Sequence, residues 1–271
     1  MAVMRVTVFS RALRATTDIH IAYPLIRNQF GDPEGREPIY TVPREPLPVL
    51  WLIHGGGDNY GDWIYHTRIS DLAERKHLVV VMPSVRDFTS SRCDVEYYRW
   101  VSEELPAFVR NILPISEKRE KNFIAGLSMG GYLSYRVALN HCERYSHVGS
   151  LSSPLDIVAD YRARHANSKT LASADSLIGT DRDIRALVEN ALSQGKQLPK
   201  MFQACGTEDF TWEINVDMRD YFREKGLDLT WKEGPGIHNW DFWSEHIVDL
   251  IQWLPLEKET EDVHKFQKEG K

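Results

Sequence analysis

The stretch Asn122-Phe-Ile-Ala-Gly-Leu-Ser-Met-Gly-Gly-Tyr-Leu133 decides the fold of this 271-residue chain. Its first four residues predict a short buried strand, and the residues after Gly131 have a helical spacing that continues to about Asn140. Between them, Gly-x-Ser-x-Gly predicts a tight turn that carries Ser128. This pattern arises by chance in roughly one chain of this size in ten, so its position between a strand and a helix gives it its weight.

A serine on such a turn projects its hydroxyl above the edge of the sheet, where it can act as a nucleophile. Glycines flank it because larger side chains would collide with the neighbouring strand and helix. The positive end of the helix points at the same place and favours developing negative charge. We therefore predict that Ser128 is a catalytic nucleophile; the alternative is an ordinary glycine-rich turn.

Strands and helices alternate along the rest of the chain. Apolar or alternating segments predict further strands at residues 4–9, 18–23, 49–53, 78–82, 146–151, 200–205 and 227–232. Helical spacing predicts helices at residues 64–76, 95–113 with a kink at Pro106, 181–193 and 242–254. This alternation predicts an α/β fold of the α/β-hydrolase type, with a mostly parallel central sheet and helices on both faces.

The domain organisation predicted from this pattern is one domain over residues 1–254. Residues 155–198 break the alternation, and we expect them to form a cap-like insertion over the C-terminal edge of the sheet, where substrate pockets of such folds lie. Residues 31–48 are rich in glycine, proline and charge and predict an exposed connection. Residues 255–271 are charged and aperiodic, which predicts a disordered tail.

Composition and charge exclude several classes of partner. A net charge of -6 without a dense basic patch argues against nucleic acid and an anionic membrane, so a small molecule is the expected partner. The chain has no run of about 18 apolar residues and no visible export signal, so neither a membrane span nor export is expected. The 3 cysteines lack metal-ligand spacing and suggest neither a zinc site nor a disulfide framework. Hydrolysis by a serine nucleophile requires no metal or organic cofactor, so none is expected. A homo-oligomer stays open.

An acid and a histidine follow later strands, in the order Ser, acid, His that this fold requires. Asp209 comes at the end of a predicted strand and is the predicted acid, whereas its neighbour Glu208 fits a solvated turn better. His238 lies after the last predicted strand and before the last helix, which makes it the predicted base. The rival His246 lies inside a predicted helix.

The glycine loop His54-Gly-Gly-Gly57 follows a buried strand. A loop of this kind exposes backbone N–H groups, and we predict that those of Gly56 and Met129 form an oxyanion hole. In isolation the loop also fits a flexible turn. Gly55 is assigned to substrate binding.

Tryptophans also flank these segments in the sequence, at Trp63, Trp212, Trp240 and Trp243. They can wall an acyl or aromatic pocket, and Trp63, Trp212 and Trp240 are assigned to substrate binding. Ordinary core packing is an equally strong alternative.

Several segments extend the match beyond single motifs: Thr7-Val-Phe-Ser-Arg-Ala-Leu13, Tyr97-Tyr-Arg-Trp-Val-Ser-Glu-Glu-Leu-Pro106, Gly126-Leu-Ser-Met-Gly-Gly-Tyr132, Cys205-Gly-Thr-Glu-Asp-Phe210 and His238-Asn-Trp-Asp-Phe-Trp243. In this order they resemble the tributyrin esterase group, in the esterase branch that includes esterase D and S-formylglutathione hydrolase. The resemblance extends to about Leu254. It implies a cytoplasmic carboxylesterase for short acyl esters, with acetyl and feruloyl-type sugar esters as candidate substrates, and the same serine, histidine and aspartate in the triad.

Two positions depart from the pattern of that group. The His54 loop is all glycine where many relatives carry a bulkier residue, and Ile237 stands where relatives often have glycine. Both bear on acyl-pocket specificity and leave the reaction class intact. The alternatives are a thioesterase of the S-formylglutathione hydrolase type, an acyltransferase, and a catalytically silent binding module, which typically lacks a triad member.

Overall fold

The strands form one sheet in this computed structural model, which describes residues 1–25, 43, 45–86, 91–164 and 174–256. The strands are β1 (Ala2–Ser10), β2 (Ala15–Tyr23), β3 (Val49–Ile53), β4 (Val79–Pro83), β5 (Asn122–Leu127), β6 (His147–Leu151), β7 (Lys200–Gly206) and β8 (Leu229–Gly234). Within the described residues their order in the sheet is β1-β2-β4-β3-β5-β6-β7-β8. Each lies within a few residues of its predicted position.

Strand direction divides the sheet into two parts. β1 pairs antiparallel with β2, and β2 pairs antiparallel with β4, whereas all pairs from β4 to β8 are parallel. β3, β4, β5 and β6 are buried along their whole length, as expected for strands covered on both faces. The prediction of a mostly parallel sheet is therefore confirmed.

The helices cover both faces of this sheet. They are α1 (Asp62–His66), α2 (Ile69–Arg75), α3 (Ser91–Arg99), α4 (Leu105–Ile112), α5 (Met129–Asn140), α6 (Ile157–Arg164), α7 (Ile184–Ser193), α8 (Trp212–Glu224) and α9 (Trp240–Trp253). One face packs against α4, α5, α7 and α8, with Leu133 and Phe222 in its core. The other packs against α1, α2 and α9, with Leu72 and Ile247 in its core.

The helix predicted at residues 64–76 is two helices, because Thr67 interrupts it. The Thr67 hydroxyl donates to the carbonyl of Trp63 in α1 and accepts from the N–H of Ile69 in α2. A threonine hydroxyl can replace backbone partners in this way and so ends one helix and begins the next.

A π-helical turn at Trp100–Glu104 joins α3 to α4. Pro106 has no N–H to donate to the carbonyl of Ser102, four residues earlier, and this carbonyl accepts a hydrogen bond from Arg144 at 3.0 Å instead. The predicted kink therefore lies just before the proline and has the form of a wider turn, closed by a bond from the N–H of Leu105 to the carbonyl of Trp100.

Glu104 at the end of that turn holds the loop between β1 and β2. Its carboxylate accepts from the Ser10 hydroxyl at 2.6 Å and from the N–H groups of Arg11 and Ala12 at 2.7 and 3.1 Å. Burial would raise the pKa of Glu104, but these hydrogen bonds outweigh burial and lower it. The antiparallel hairpin is thereby tied to the helix.

The described parts of 155–198 contain α6 and α7. α7 belongs to the core that includes α5, and the stretch before it is tied to α5 by a buried ion network. In this network Arg136 pairs with Asp94 at 2.7 Å and with Asp181 at 2.6 Å. Residues 165–173 lie outside the described residues, so the cap-like arrangement stays a prediction.

Two further predicted segments, the tail beyond residue 256 and most of the connection at 31–48, also lie outside the described residues. Among the helices that are described, none combines the length and the apolar character needed to cross a membrane.

Candidate active site

Ser128 lies at the strained turn between β5 and α5. Its φ and ψ angles are 48° and -120°, a combination that a residue with a side chain rarely adopts. Glycines make the turn possible because a Cβ at Gly126 would lie 2.6 Å from the Ile53 carbonyl oxygen, and one at Gly130 would overlap the carbonyls of Ile53 and His54. The turn is thus packed directly against the end of β3.

The glycine loop after β3 passes beside the serine. A Cβ at Gly55 would lie 3.5 Å from the Cβ of Ser128 and would overlap Cδ1 of Leu127, so only a glycine fits there without displacing Leu127. A Cβ at Gly56 would meet nothing within 4 Å, so this residue borders open space. Met129 occupies the first position of α5, where the helix supplies no acceptor for its N–H.

His238 connects Ser128 to Asp209 through hydrogen bonds. Its Nε2 lies 3.0 Å from Ser128 Oγ, and its Nδ1 lies 2.9 Å from Asp209 Oδ2. Ser128 follows β5, Asp209 follows β7 and His238 follows β8, so three segments that are distant in sequence meet at the carboxyl ends of parallel strands of one sheet. The structure therefore brings together all three side chains that the sequence singles out.

Asp209 is buried and well supplied with donors. Its Oδ1 accepts from both the N–H and the hydroxyl of Thr211, each at 2.8 Å. Burial alone would raise the pKa of Asp209, but the hydrogen bonds from His238 and Thr211 outweigh burial and lower it. An ionised carboxylate only accepts, so Nδ1 of His238 must donate to it and Nε2 can accept the Ser128 proton.

Glu208 joins the loop that carries Asp209 to the loop that carries His238 through two hydrogen bonds. Its side-chain Oε2 accepts from the N–H of Gly236 at 2.6 Å, and its own N–H donates to the carbonyl of Gly236 at 3.1 Å. The Gly236 hydrogen bond also lowers the pKa of Glu208. Sequence reasoning treats Glu208 as a solvated turn residue and misses this contact, because its partner lies 28 positions further along the chain.

His54 has both ring nitrogens engaged. Nδ1 lies 2.7 Å from the Gly55 carbonyl oxygen, and Nε2 accepts from the N–H of Val85 at 2.9 Å. Burial lowers the pKa of His54. These contacts require a neutral ring with its proton on Nδ1, so His54 holds the glycine loop in place and has no nitrogen left to act as a base.

Three tryptophans pack edge to face in a row behind His238. The ring centroids are 4.9 Å apart for Trp243 and the imidazole, 5.4 Å for Trp240 and Trp243, and 5.1 Å for Trp63 and Trp240. Trp63 is fully buried, so in this structure it supports Trp240 from beneath and presents no surface of its own to a ligand. For Trp63 the core-packing reading therefore applies, and its assignment to substrate binding is corrected.

Phe210 lies on the loop that follows β7, and Trp212 comes directly after that loop. Trp212 begins α8 and packs against Trp231 of β8 at 6.0 Å, so its assignment to substrate binding stays a prediction. Phe210 lies 4.3 Å from the His238 ring and is largely exposed, which sequence reasoning misses. Thr211 is missed too, although a threonine two residues after an aspartate is a signal for a local side-chain turn.

The placement of these side chains defines the class of the protein. A mostly parallel sheet carries the serine turn after β5, the acid after β7 and the histidine after β8, which is the arrangement of an α/β-hydrolase. Residues 36–254 match the family model described as "Putative esterase". The chain belongs to this esterase family, as the sequence motifs predict, and it is a carboxylic ester hydrolase.

Individual relatives agree with this placement. The chain is 33% identical to an acetyl esterase of Caldicellulosiruptor saccharolyticus, over 94% of this chain and 98% of that protein. Its structure is similar to that of an S-formylglutathione hydrolase from Staphylococcus aureus, with a TM-score of 0.77, 26% identity and coverage of 93% and 98% of the two chains. A ferulic acid esterase with 19% identity shares the fold, with a TM-score of 0.72 over 93% and 97% of the chains.

Proposed function

We propose that Ser128, His238 and Asp209 form a catalytic triad that hydrolyses short-chain acyl esters through an acyl-enzyme. The observation that carries this proposal is the unbroken line of hydrogen bonds from the serine hydroxyl at 3.0 Å to the imidazole and from the imidazole at 2.9 Å to the carboxylate. A serine hydroxyl is a weak nucleophile unless an adjacent base accepts its proton, and this line supplies such a base.

In the first half of the reaction Ser128 Oγ attacks the ester carbonyl carbon while Nε2 of His238 takes the hydroxyl proton. The carbonyl π electrons move to the oxygen, and the N–H groups of Gly56 and Met129 are proposed to bind the resulting oxyanion. Asp209 holds the imidazole in its tautomer and stabilises the imidazolium. When the carbon–oxygen bond to the leaving group breaks, His238 returns the proton to that oxygen and the alcohol departs.

In the second half a water molecule attacks the acyl carbon of the serine ester and gives a proton to His238. The tetrahedral intermediate then collapses, the bond to Ser128 Oγ breaks, and His238 reprotonates the serine. The carboxylic acid leaves and the starting state is restored. None of these steps draws on groups other than this chain, the ester and water.

The acyl group is proposed to be short, with acetyl as the leading candidate, because the relative named an acetyl esterase matches nearly the whole chain. Aromatic feruloyl-type esters are a further candidate. A thioesterase would use the same three side chains with a sulfur leaving group, and the similarity to an S-formylglutathione hydrolase keeps that alternative in view. Comparing p-nitrophenyl acetate with S-formylglutathione separates the two. Transfer of the acyl group to an added alcohol would reveal an acyltransferase.

Replacing the nucleophile tests the proposal most directly. Ser128→Ala is expected to lower kcat for p-nitrophenyl acetate by about 10⁴-fold or more while leaving the thermal unfolding transition in place. Ser193→Ala, at the exposed end of α7, is the matched control and should retain full activity. Turnover by purified Ser128→Ala that stays near the wild-type rate would refute the assignment. A serine-reactive fluorophosphonate should label Ser128, and a label found on another residue would count against the proposal.

A further inference from the structure

Two exposed apolar side chains lie next to the catalytic histidine. Phe210 exposes 65% of its surface and Ile237 exposes 54%, although both are large hydrophobic residues. They come from different loops, one after β7 and one after β8, and we call the pair the His238 rim. Single exposed apolar side chains are common on protein surfaces, but ones that border a reactive group are candidates for contact with a ligand.

The contact geometry places Phe210 beside the imidazole, and the chain places Ile237 on the same loop as His238. The Phe210 ring lies 4.3 Å from the His238 ring at an interplanar angle of 42°, and Ile237 is the residue directly before His238. Trp243 also touches the imidazole but is only 6% exposed, so it supports the ring from within. Phe210 is therefore a largely exposed apolar side chain in contact with the imidazole, and Ile237 is a second exposed apolar side chain on the histidine loop.

The chemistry of the reaction decides which part of an ester meets this rim. Nε2 of His238 must come within hydrogen-bond distance of the leaving oxygen in order to protonate it. The carbonyl oxygen, by contrast, points toward the amides on the Gly56 and Met129 side. The alcohol portion of the ester therefore lies against the residues that surround the imidazole.

The charges on the loops after β7 and β8 indicate which kind of alcohol this surface favours. Segments 206–213 and 234–243 contain Glu208, Asp209, Glu213 and Asp241 and no lysine or arginine. An anionic leaving group would meet the negative charge of these acidic side chains, whereas a neutral apolar group would cover exposed hydrocarbon.

From this geometry we infer that Phe210 and Ile237 form a leaving-group subsite that selects esters of neutral apolar alcohols, aryl or alkyl. The inference rests on the proposed triad, because it depends on His238 protonating the leaving oxygen. It assigns specificity on the alcohol side to two residues outside the triad. It also favours oxygen esters over thioesters of an anionic thiol.

A pair of acetate esters that differ only in the alcohol tests this subsite. Phe210→Ala is expected to lower kcat/KM for 2-naphthyl acetate by about 10-fold and to change kcat/KM for methyl acetate by less than about 2-fold. Phe9→Ala is the matched control, because Phe9 on β1 is 62% exposed and lies on the edge strand at the opposite end of the sheet. Phe210→Leu should restore most of the lost preference, and Ile237→Ala should shift it in the same direction as Phe210→Ala.

Two results with Phe210→Ala would overturn the subsite. Equal losses of kcat/KM on both esters would mean that Phe210 only positions His238, and unchanged kcat/KM on both esters would mean that the rim does not contact the alcohol. Both results are distinguishable from failure of the triad, which would show as retained hydrolysis by Ser128→Ala, a variant with an intact rim. A wild-type kcat/KM for S-acetylglutathione far above that for 2-naphthyl acetate, which carries the same acyl group, would also contradict the preference for a neutral leaving group.

Discussion

The turn that carries Ser128 and the loop that carries His238 meet at 3.0 Å, yet each is held in a different way. The serine turn is fixed by steric packing of backbone, since Gly126 and Gly130 leave no room for a Cβ against the end of β3. The histidine loop is fixed by hydrogen bonds to side chains, since Glu208 accepts from its backbone and Asp209 accepts from its ring. Mutations on the first side should therefore damage the fold, and mutations on the second side should damage turnover.

Asp209→Asn is expected to give the largest effect of this kind, a fall in kcat of about 10⁴-fold with little loss of stability. An amide in place of the carboxylate can donate to Nδ1, which would move the imidazole proton to Nε2 and leave no acceptor for the serine proton. Steady-state kinetics and chemical denaturation measure the two quantities. Asp228→Asn, an exposed change near β8, serves as control. A large loss of folding free energy with near-normal kcat would break the comparison.

Gly130→Ala tests the sterically packed side. The new Cβ would fall on the backbone carbonyls of Ile53 and His54, which have no flexible side chain to move away. We expect the free energy of unfolding to drop by about 3 kcal/mol. Gly234→Ala is the matched control, because a Cβ there meets nothing within 4 Å, and it should change stability by less than about 0.5 kcal/mol. Equal denaturation midpoints for the two variants would contradict steric fixation.

Glu208 gives the smallest and most discriminating prediction. Glu208→Ala removes the acceptor for the Gly236 N–H and should lower kcat about 10-fold with little change in KM, because the imidazole is held less firmly. Glu208→Gln keeps an oxygen acceptor and should recover most of the rate, while Glu213→Ala on α8 should behave like wild type. If the glutamine and alanine variants lose the same activity, the hydrogen bond to Gly236 does not position the histidine.

The serine side could be predicted from sequence because its determinants are contiguous. A strand, two glycines around a serine and a helix lie within twelve residues, so local pattern specifies the geometry of Ser128. His238 and Asp209 could be found because chain order restricts the choice. The contact from Glu208 to Gly236 could not, since it depends on the register between β7 and β8, which no local pattern encodes.

Other differences have equally specific causes. Trp63 looks in sequence like a pocket residue, but its position in α1 turns its side chain into the core beneath Trp240. The break at Thr67 depends on one hydroxyl that serves two helices, which apolar spacing cannot reveal. The exposure of Phe210 is likewise a property of the folded loops and not of its residue type.

The π-helical turn at Trp100–Glu104 makes the position of the β1–β2 hairpin depend on the length of the helical segment that runs from α3 to α4. Asp94 on one side of the turn pairs with Arg136, and Glu104 on the other side holds the residues after β1. Deleting a single residue between them would restore ordinary helical geometry but rotate one anchor relative to the other by about 100°. After such a deletion the two contacts could not both form. Either Asp94 would lose Arg136, or Glu104 would lose the residues after β1.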